Sequence, residues 1–187
     1  MLGQEPITFW RQVASLTEYP QLLDLPAHVR DATFPTDTQE RARQLLDAFG
    51  SVGAYTASKG VPLVRQHVAE FLAARDGFDE DLENIYLTAG ASAGISLLFQ
   101  VLFRAKRDGI LIPIPQYPLY SASVSLLDLV PMHYHLNAEQ HWDPSISNIK
   151  TQIDEARKNG IEPRAIIMIN PGNPTGNCMT SVSYTHL

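Results

Sequence analysis

The sequence of 187 residues contains a single cysteine, Cys178. One thiol excludes an internal disulfide framework and a zinc site built from several cysteines. Runs of lysine or arginine are also missing, and the formal net charge is −6. A negatively charged chain without a basic cluster lacks the charge pattern of proteins that bind nucleic acid or an anionic membrane surface. We therefore expect no nucleic-acid partner.

Long apolar stretches are missing as well. No segment approaches the roughly 18 consecutive apolar residues that a membrane-spanning helix requires. The first residues, "MLGQEPITFWRQV", have neither the basic and apolar regions of an export signal nor an arginine-rich presequence. We therefore expect no membrane association and a cytoplasmic location.

The histidines do not form a metal-binding pattern. His133 and His135 share one face of a predicted strand, because side chains alternate along a strand. No carboxylate, third histidine or cysteine stands near them at ligand spacing. We expect both to be partly exposed strand residues, and we predict no metal site.

The composition that remains is typical of a globular protein, with 44% hydrophobic and 18% charged residues. Hydrophobic periodicity and turn residues indicate helices that alternate with short apolar strands. Helices are predicted within residues 7–16, 36–50, 60–77, 95–102 and 121–127 and after residue 143, and strands within residues 85–88, 110–114, 130–136 and 164–170.

Several helix ends are marked by particular residues. Asp37 or Thr38 is expected to cap the second helix, and Asp143 is expected to cap the last helix with Pro144 in its first position. The glycines expected just beyond helix ends are Gly50 and Gly77.

Strands that alternate with helices predict an α/β fold with a mostly parallel sheet. The last strand, residues 164–170, is apolar and is expected to be buried on both faces. Ligands of such sheets bind near the carboxyl ends of the strands. Three loops stand at predicted strand ends, residues 89–94, 113–120 and 170–176. They are the candidate functional loops.

The first of these loops has the form of a phosphate site. In "NIYLTAGASAGIS" a short apolar segment leads through Gly90 into a helix, where free N–H groups and the helix dipole favour an anion. Gly90 permits close backbone approach, Ala91 and Ser92 can offer N–H groups, and the Ser92 hydroxyl can add a hydrogen bond. The alternative without a ligand is a tight connection capped by Ser92.

One family with such a turn is disfavoured. "TAGASAGIS" resembles the glycine-rich turn of short-chain dehydrogenases, and Tyr55 and Lys59 have the spacing of their catalytic pair. In that family, however, the pair follows the turn, whereas here it precedes the turn. Ser96 also replaces the third glycine, which the helix needs for close packing.

Four motifs together indicate another family. "GAYTASKG", "YLTAGAS", "IPIPQYPLYSA" and "INPGNPTG" resemble, in family order, the N-terminal half of the pyridoxal-phosphate-dependent aminotransferases of fold type I, most closely the alanine aminotransferases. The resemblance implies the three-layer, mostly parallel sheet of that family's large domain, in a truncated form. It also implies pyridoxal 5'-phosphate as cofactor and a homodimer that acts on amino acids and 2-oxo acids.

The resemblance assigns roles to individual residues. Gly90, Ala91 and Ser92 would hold the cofactor phosphate. Tyr117 would stack on the pyridine ring, with Tyr120 as the reserve candidate, although both tyrosines could instead pack between helix and sheet.

Two further roles follow from the same resemblance. Asn173 would donate a hydrogen bond to the cofactor's phenolic oxygen, and Tyr55 would reach the phosphate of the neighbouring subunit. Without the resemblance, Asn173 belongs to a turn and Tyr55 to a loop before a helix.

No catalytic residue is assigned. The family's Schiff-base lysine, its aspartate at the pyridine nitrogen and its carboxylate-binding arginine all follow the "NPTG" motif, after which this chain has eleven residues without lysine, arginine or acidic side chains. Lys59 lies in a similar "SKG" context but before that motif. We therefore interpret Lys59 as a solvated charge and expect the chain as written to be inactive.

These considerations define the expected organisation. Residues 1–50 are predicted to be a helical segment of the small domain and interdomain region, residues 51–178 the first part of the cofactor-binding large domain, and residues 179–187 a tail outside the family. The intact parent is expected to transfer an amino group between L-alanine and 2-oxoglutarate. A non-catalytic cofactor-binding or dimerising fragment and a different fold-type-I enzyme are the alternatives. Mitochondria are the alternative compartment, because family members occur there too.

Overall fold

The computed structural model describes residues 8–52, 55–181 and 185. The chain divides into two compact units, Met1–Thr88 and Ala89–Leu187. The predicted division at residue 50 does not coincide with this boundary, and the three predicted domains remain a prediction. No helix in the described ranges is long and apolar enough to cross a membrane.

The first unit is helical where it is described. Its elements are α1 (Thr8–Glu18), a 3-10 helix (Pro20–Asp24), α2 (Ala27–Thr33), α3 (Thr36–Phe49), α4 (Pro62–Asp76) and a second 3-10 helix (Leu82–Asn84). The apolar side chains buried together are Val13, Leu16, Phe34 and Ala42, from α1, α3 and the residue after α2. Buried polar groups are paired, since the Gln39 amide donates to the Phe34 carbonyl at 2.7 Å.

Helix ends in this unit follow the sequence signals in part. Gly50 and Gly77 terminate α3 and α4 with φ of 75° and 78°, a region that favours glycine, as predicted. The cap predicted at Asp37 or Thr38 is wrong, because α3 begins at Thr36 and both residues lie in its first turn.

The strand predicted at residues 85–88 is not formed. This segment is extended and its Leu87 N–H donates to the Lys59 carbonyl at 2.8 Å, but it has no strand partner among the described residues. Gly60, with φ of 105°, lets the backbone approach closely, since a Cβ there would lie 2.6 Å from the Leu87 side chain. A short apolar segment becomes a strand only where a partner strand lies beside it.

The second unit is a sheet between helices. Its elements are α5 (Ala91–Leu102), β1 (Asp108–Ile114), α6 (Leu119–Leu126), β2 (Val130–Asn137), β3 (Asp143–Pro144), α7 (Ile146–Lys158) and β4 (Glu162–Ile166). The strand order is β3-β2-β1-β4, with β1 parallel to both β2 and β4 and only β3 antiparallel. The predicted α/β class with a mostly parallel sheet is confirmed.

Alternating residues of β1 separate two apolar clusters, because neighbouring side chains point to opposite faces. The cluster towards α5 and α6 contains Phe99, Ile110, Ile112, Val124 and Leu129. The cluster towards α7 contains Leu111, Met132, Tyr134, Ile149 and Ala156. The unit therefore has three layers, with β1 as its most buried strand.

Two predictions fail in this unit. Asp143 and Pro144 do not begin a helix; they pair with the end of β2, and Ser145 caps α7 through a bond from the Asn148 N–H. Strand β4 is not buried on both faces, because it lies at the edge of the sheet and Ile166 is 36% exposed.

Candidate functional site

The carboxyl ends of two neighbouring strands supply the candidate loops. Strands β1 and β4 are parallel and paired, so the segments after Ile114 and Ile166 leave the same edge of the sheet. The first segment carries Tyr117 and the second carries Asn173. This edge is where ligands bind in open α/β sheets.

The contacts of helix α5 indicate where its N-terminus lies relative to this edge. Its C-terminal end is tied to the start of β1, since the Arg104 guanidinium donates to the Asp108 carboxylate at 2.7 Å. The helix is about 18 Å long, which is close to the length of β1. Its residues Ile95 and Phe99 lie in the apolar cluster between the sheet and helices α5 and α6. We infer that residues 90–92 lie near the carboxyl end of β1.

The N-terminus of α5 has the groups of an anion site. Gly90 precedes the helix with φ of 86° and ψ of 167°, a conformation available essentially only to glycine. Ala91 and Ser92 are exposed in the first turn, where N–H groups have no acceptor within the helix. Ser92 lies inside the helix, and Gly90, not Ser92, occupies the cap position. The serine-capped alternative is therefore wrong.

The two candidate tyrosines differ in environment. Tyr117 lies between β1 and α6 with 48% of its surface exposed, so its ring is open to a ligand. Tyr120, the second residue of α6, packs against the apolar cluster around Ile112. Of the two, Tyr117 is the ring available for stacking.

The "NPGNPTG" segment forms a closed loop. The Gly176 N–H donates to the Gly172 carbonyl at 2.8 Å, and the Gly172 N–H donates to the Asn177 carbonyl at 2.7 Å. At the outer end of the loop, the Met179 N–H donates to Asn170 Oδ1 at 3.0 Å. Asn173 is exposed at the tip, where its amide can reach a ligand.

A narrow cavity of about 20 Å³ lies beneath this loop. It has room for about one water molecule and not for a cofactor. Its lining includes Pro113, Tyr134 and Trp142 below and Asn173 and Asn177 above. The cavity is therefore a small gap in the packing under the loop. A cofactor would have to bind on the solvent-exposed surface of the loop instead.

The remaining residues of interest in the first unit are Tyr55 and Lys59. Tyr55 is fully exposed beside a shallow pocket formed with Phe49 and Pro62. Lys59 is not simply solvated as predicted. Its Nζ donates to the Glu83 carboxylate at 2.7 Å, and this hydrogen bond raises the pKa of Lys59.

Several polar groups near the loops were not predicted from the sequence. Gln116 Nε2 donates to Ser121 Oγ at 2.6 Å, while its buried Oε1 has no partner among the described residues. His133 is partly buried and His135 exposed on β2, as expected. No group of three metal-ligating side chains occurs in the part of the chain that the structure describes. Neither Gln116 nor Asn177 belongs to a recognised motif. Only their positions next to Tyr117 and "NPTG" could have marked them in the sequence as residues near the site.

The sequence profile of the family described as aminotransferase class I and II matches residues 25–187. The chain belongs to the class I and II aminotransferases. The matched range includes residues 179–187, which were predicted to be a tail outside the family, and that division remains a prediction.

Curated aminotransferases cover almost the whole chain. An alanine aminotransferase 2-like protein of Danio rerio is 48% identical over 94% of this chain. Glutamate--glyoxylate aminotransferase 2 of Arabidopsis thaliana is 45% identical over the whole of this chain, and an inactive alanine aminotransferase of Saccharomyces cerevisiae is 46% identical over the whole of this chain. The chain spans only 32% to 38% of these relatives.

A solved aminotransferase shares the fold. The alanine aminotransferase from Pyrococcus furiosus superposes with a TM-score of 0.64 at 30% identity, over 71% of this chain and 32% of that structure. The predicted resemblance and the fold of these aminotransferases are thereby confirmed for this part of the molecule.

Proposed function

We propose that this chain forms the phosphate-binding, ring-stacking and phenol-binding part of a pyridoxal 5'-phosphate site in an alanine aminotransferase. The observation that carries the proposal is the parallel pairing of β1 and β4, since the loops that follow them carry the exposed Tyr117 ring and the exposed Asn173 amide. The start of α5, which we infer to lie near the same edge, adds N–H donors for an anion.

The residues fit the cofactor chemically. The loop from Thr88 to Ser92 contains no acidic side chain that would repel a phosphate. The Ala91 and Ser92 N–H groups and the Ser92 hydroxyl are donors, which suit phosphate oxygens. Tyr117 offers a flat apolar face, and Asn173 offers a donor that an amide side chain can direct at an oxygen.

Each residue then has a distinct role. Gly90, Ala91 and Ser92 anchor the phosphate, Tyr117 fixes the plane of the ring, and Asn173 stabilises the ionised phenol by donating a hydrogen bond. When bound, pyridoxal 5'-phosphate supplies the electron sink for amino-group transfer. The chain's residues orient that group; the family's lysine that moves the proton is not among them.

We infer that the substrates are L-alanine and 2-oxoglutarate, with pyruvate and L-glutamate as products. The test is an assay of the protein encoded by the complete gene, with L-alanine as donor and 2-oxoglutarate or glyoxylate as acceptor. Faster pyruvate formation with 2-oxoglutarate than with glyoxylate is expected. A preference for glyoxylate, together with faster transfer to it from L-glutamate than from L-alanine, would instead support a glutamate–glyoxylate enzyme, the function that the Arabidopsis relative's name states.

A non-catalytic product is the second candidate, because an inactive relative from yeast matches this segment as well as the others do. Similarity over these residues therefore does not separate active from inactive proteins. Absence of transfer with every donor and acceptor, together with retained cofactor binding, would favour this candidate.

We also propose a homodimer in which Tyr55 reaches the phosphate of the neighbouring subunit, in keeping with its full exposure. Analytical ultracentrifugation of the complete protein tests the dimer, and Tyr55→Phe tests the contact. Weaker cofactor binding with an unchanged dimer is expected. Unchanged binding by Tyr55→Phe would contradict the contact.

The cytoplasm is the proposed compartment, and cell fractionation tests it against mitochondria.

A further inference from the structure

Asn177 bonds to both sides of the segment that carries Asn173. Its backbone carbonyl accepts the Gly172 N–H at 2.7 Å, and its side-chain Oδ1 accepts the Thr175 hydroxyl. Gly172 and Thr175 directly flank the Asn173–Pro174 dipeptide. One residue therefore holds both ends of the turn from which the Asn173 amide projects.

The same side chain also ties the loop to the sheet. Asn177 Nδ2 donates to the Trp142 carbonyl at 3.4 Å. Trp142 lies in the connection between β2 and β3, where its N–H donates to the Asn137 carbonyl at 2.8 Å. Trp142 and the preceding His141 both have positive φ, of 62° and 55°. The carbonyl that Asn177 contacts therefore lies in a turn that is held in an uncommon conformation.

Gly172 is matched to this arrangement. A Cβ at Gly172 would collide with both Asn177 Oδ1 and Thr175 Oγ1, the two atoms of the side-chain hydrogen bond. The glycine therefore makes room for the bond between Thr175 and Asn177. This close fit would be unnecessary if the loop were free to adopt several shapes.

We infer that Asn177 is a positioning residue, which holds the loop so that the Asn173 amide faces the cofactor's phenolic oxygen. The inference rests on the proposed function, because it names what Asn173 contacts. Asn177 itself is partly buried and acts through Asn173.

The test uses the 187-residue protein and pyridoxamine 5'-phosphate. This probe has no aldehyde, so it cannot attach covalently to lysines. Its dissociation constant is measured by fluorescence for the wild type, Asn173→Ala, Asn177→Ala, Thr175→Val and the double variant Asn173→Ala/Asn177→Ala. Asn159→Ala is the matched control, because Asn159 also bonds one main-chain carbonyl but at the end of α7.

Loss of one hydrogen bond predicts roughly fivefold weaker binding for Asn173→Ala and Asn177→Ala. The double variant should be no weaker than Asn173→Ala, since both changes remove the same contact. In Asn177→Ala and Thr175→Val, the phenol pKa of the bound probe, followed by absorbance, should rise towards its value in Asn173→Ala. A loss of stability alone would not move that pKa. The inference would be overturned if the double variant weakened binding by the product of the two single effects. It would also be overturned if the phenol pKa of the bound probe did not change in Asn177→Ala and Thr175→Val.

Hydrogen exchange separates this inference from the proposed function. The Gly172 and Gly176 amides should exchange at least roughly tenfold faster in Asn177→Ala and Thr175→Val than in the wild type or Asn159→Ala, because their bonds depend on the closed loop. If the wild type fails to bind the probe, the proposed function is wrong, and exchange still decides whether Asn177 closes the loop. Unchanged exchange in both variants would overturn the positioning role.

Discussion

The Tyr134 hydroxyl donates a hydrogen bond to the Ile167 carbonyl at 2.6 Å, across the central strand β1. The Ile167 N–H already donates to the Leu111 carbonyl at 2.9 Å, as the next step of the parallel ladder between β1 and β4. That ladder would continue with a bond from residue 113 to the Ile167 carbonyl. Residue 113 is proline and has no N–H, so Tyr134 supplies the missing donor.

This relationship predicts a specific coupling of stabilities. Tyr134→Phe should lower the free energy of unfolding by about 1–3 kcal/mol, because the Ile167 carbonyl loses its donor. In a Pro113→Ala background the penalty should shrink, because residue 113 can then donate to that carbonyl. Urea unfolding of the two single variants and the double variant measures the coupling. Equal penalties in both backgrounds would show that Tyr134 does not replace the proline's missing donor.

Burial raises the pKa of Tyr134 to about 12. The hydroxyl therefore stays protonated and able to donate throughout the neutral range, and the coupling should not change between pH 6 and pH 9.

Gly90→Val is expected to weaken binding of pyridoxamine 5'-phosphate by at least roughly tenfold. A β-branched residue at φ of 86° and ψ of 167° carries about 1–3 kcal/mol of strain, which rotation of the Gly90 backbone would relieve. The rotation would turn the Ala91 N–H away from the phosphate. Gly77→Val is the matched control, since Gly77 also has positive φ and open space around it but terminates α4. It should lower the Tm and leave binding unchanged. Equal effects of both variants on binding would contradict the phosphate site.

Lys59 is expected to react poorly with the aldehyde of pyridoxal 5'-phosphate. Its hydrogen bond to Glu83 raises its pKa, so a smaller fraction of the amine is unprotonated and nucleophilic near pH 8. Lys106 is the internal control, because its side chain is 79% exposed and its pair with Asp128 is longer, at 3.3 Å against 2.7 Å for Lys59 and Glu83. Brief labelling followed by borohydride reduction and peptide mapping should modify Lys106 more than Lys59. Stoichiometric labelling of Lys59 alone would contradict the conclusion that it is only an ion-pair residue. Glu83→Gln should raise its labelling.

Asp108 is expected to make stability depend on acid pH. The hydrogen bond from the Arg104 side chain lowers the pKa of this fully buried carboxyl below its usual value of 3.8. The stabilisation is therefore complete above about pH 4 to 5 and is lost as the pH falls through the lowered folded-state pKa. Asp108→Asn should lower the Tm by several degrees at pH 7 and flatten its fall in acid. Asp128→Asn, which removes an exposed pair with Lys106, should do neither. Parallel Tm profiles of Asp108→Asn and wild type would refute this role.

The parts of the fold that the sequence predicted correctly depend on local signals. Helix α4 is defined by an apolar period between Pro62 and Gly77, and both residues act within a few positions of themselves. Strand β1 is a short apolar run that is buried at the centre of the sheet. Residues 88–92 and "NPGNPTG" were recognisable because glycine permits backbone conformations that other residues disfavour and proline fixes its own φ.

The failures depend on distant partners. Asp143 and Ser145 are both good helix caps, and only the pairing of Pro144 with Leu136 decides in favour of Ser145. Strand β4 ends at Ile166, short of the predicted end at residue 170, because its partner strand has a proline at position 113. No pattern within the segment itself contains that information.

The proposed role of Asn177 could not be predicted from the sequence either, because it also depends on a distant partner. Its three partners, Gly172, Thr175 and Trp142, include one that lies 35 residues away in sequence. The single-residue roles assigned to Gly90, Tyr117 and Asn173 came from motif resemblance, and the structure adds their surroundings rather than their roles.

The most direct test of the central claim is a crystal structure of this protein with pyridoxamine 5'-phosphate. We predict the phosphate at the start of α5, within hydrogen-bond distance of the Ala91 and Ser92 N–H groups, with the ring on Tyr117. We also predict the phenolic oxygen within reach of the Asn173 amide. A probe bound elsewhere, or a phosphate that leaves the start of α5 untouched, would contradict the claim.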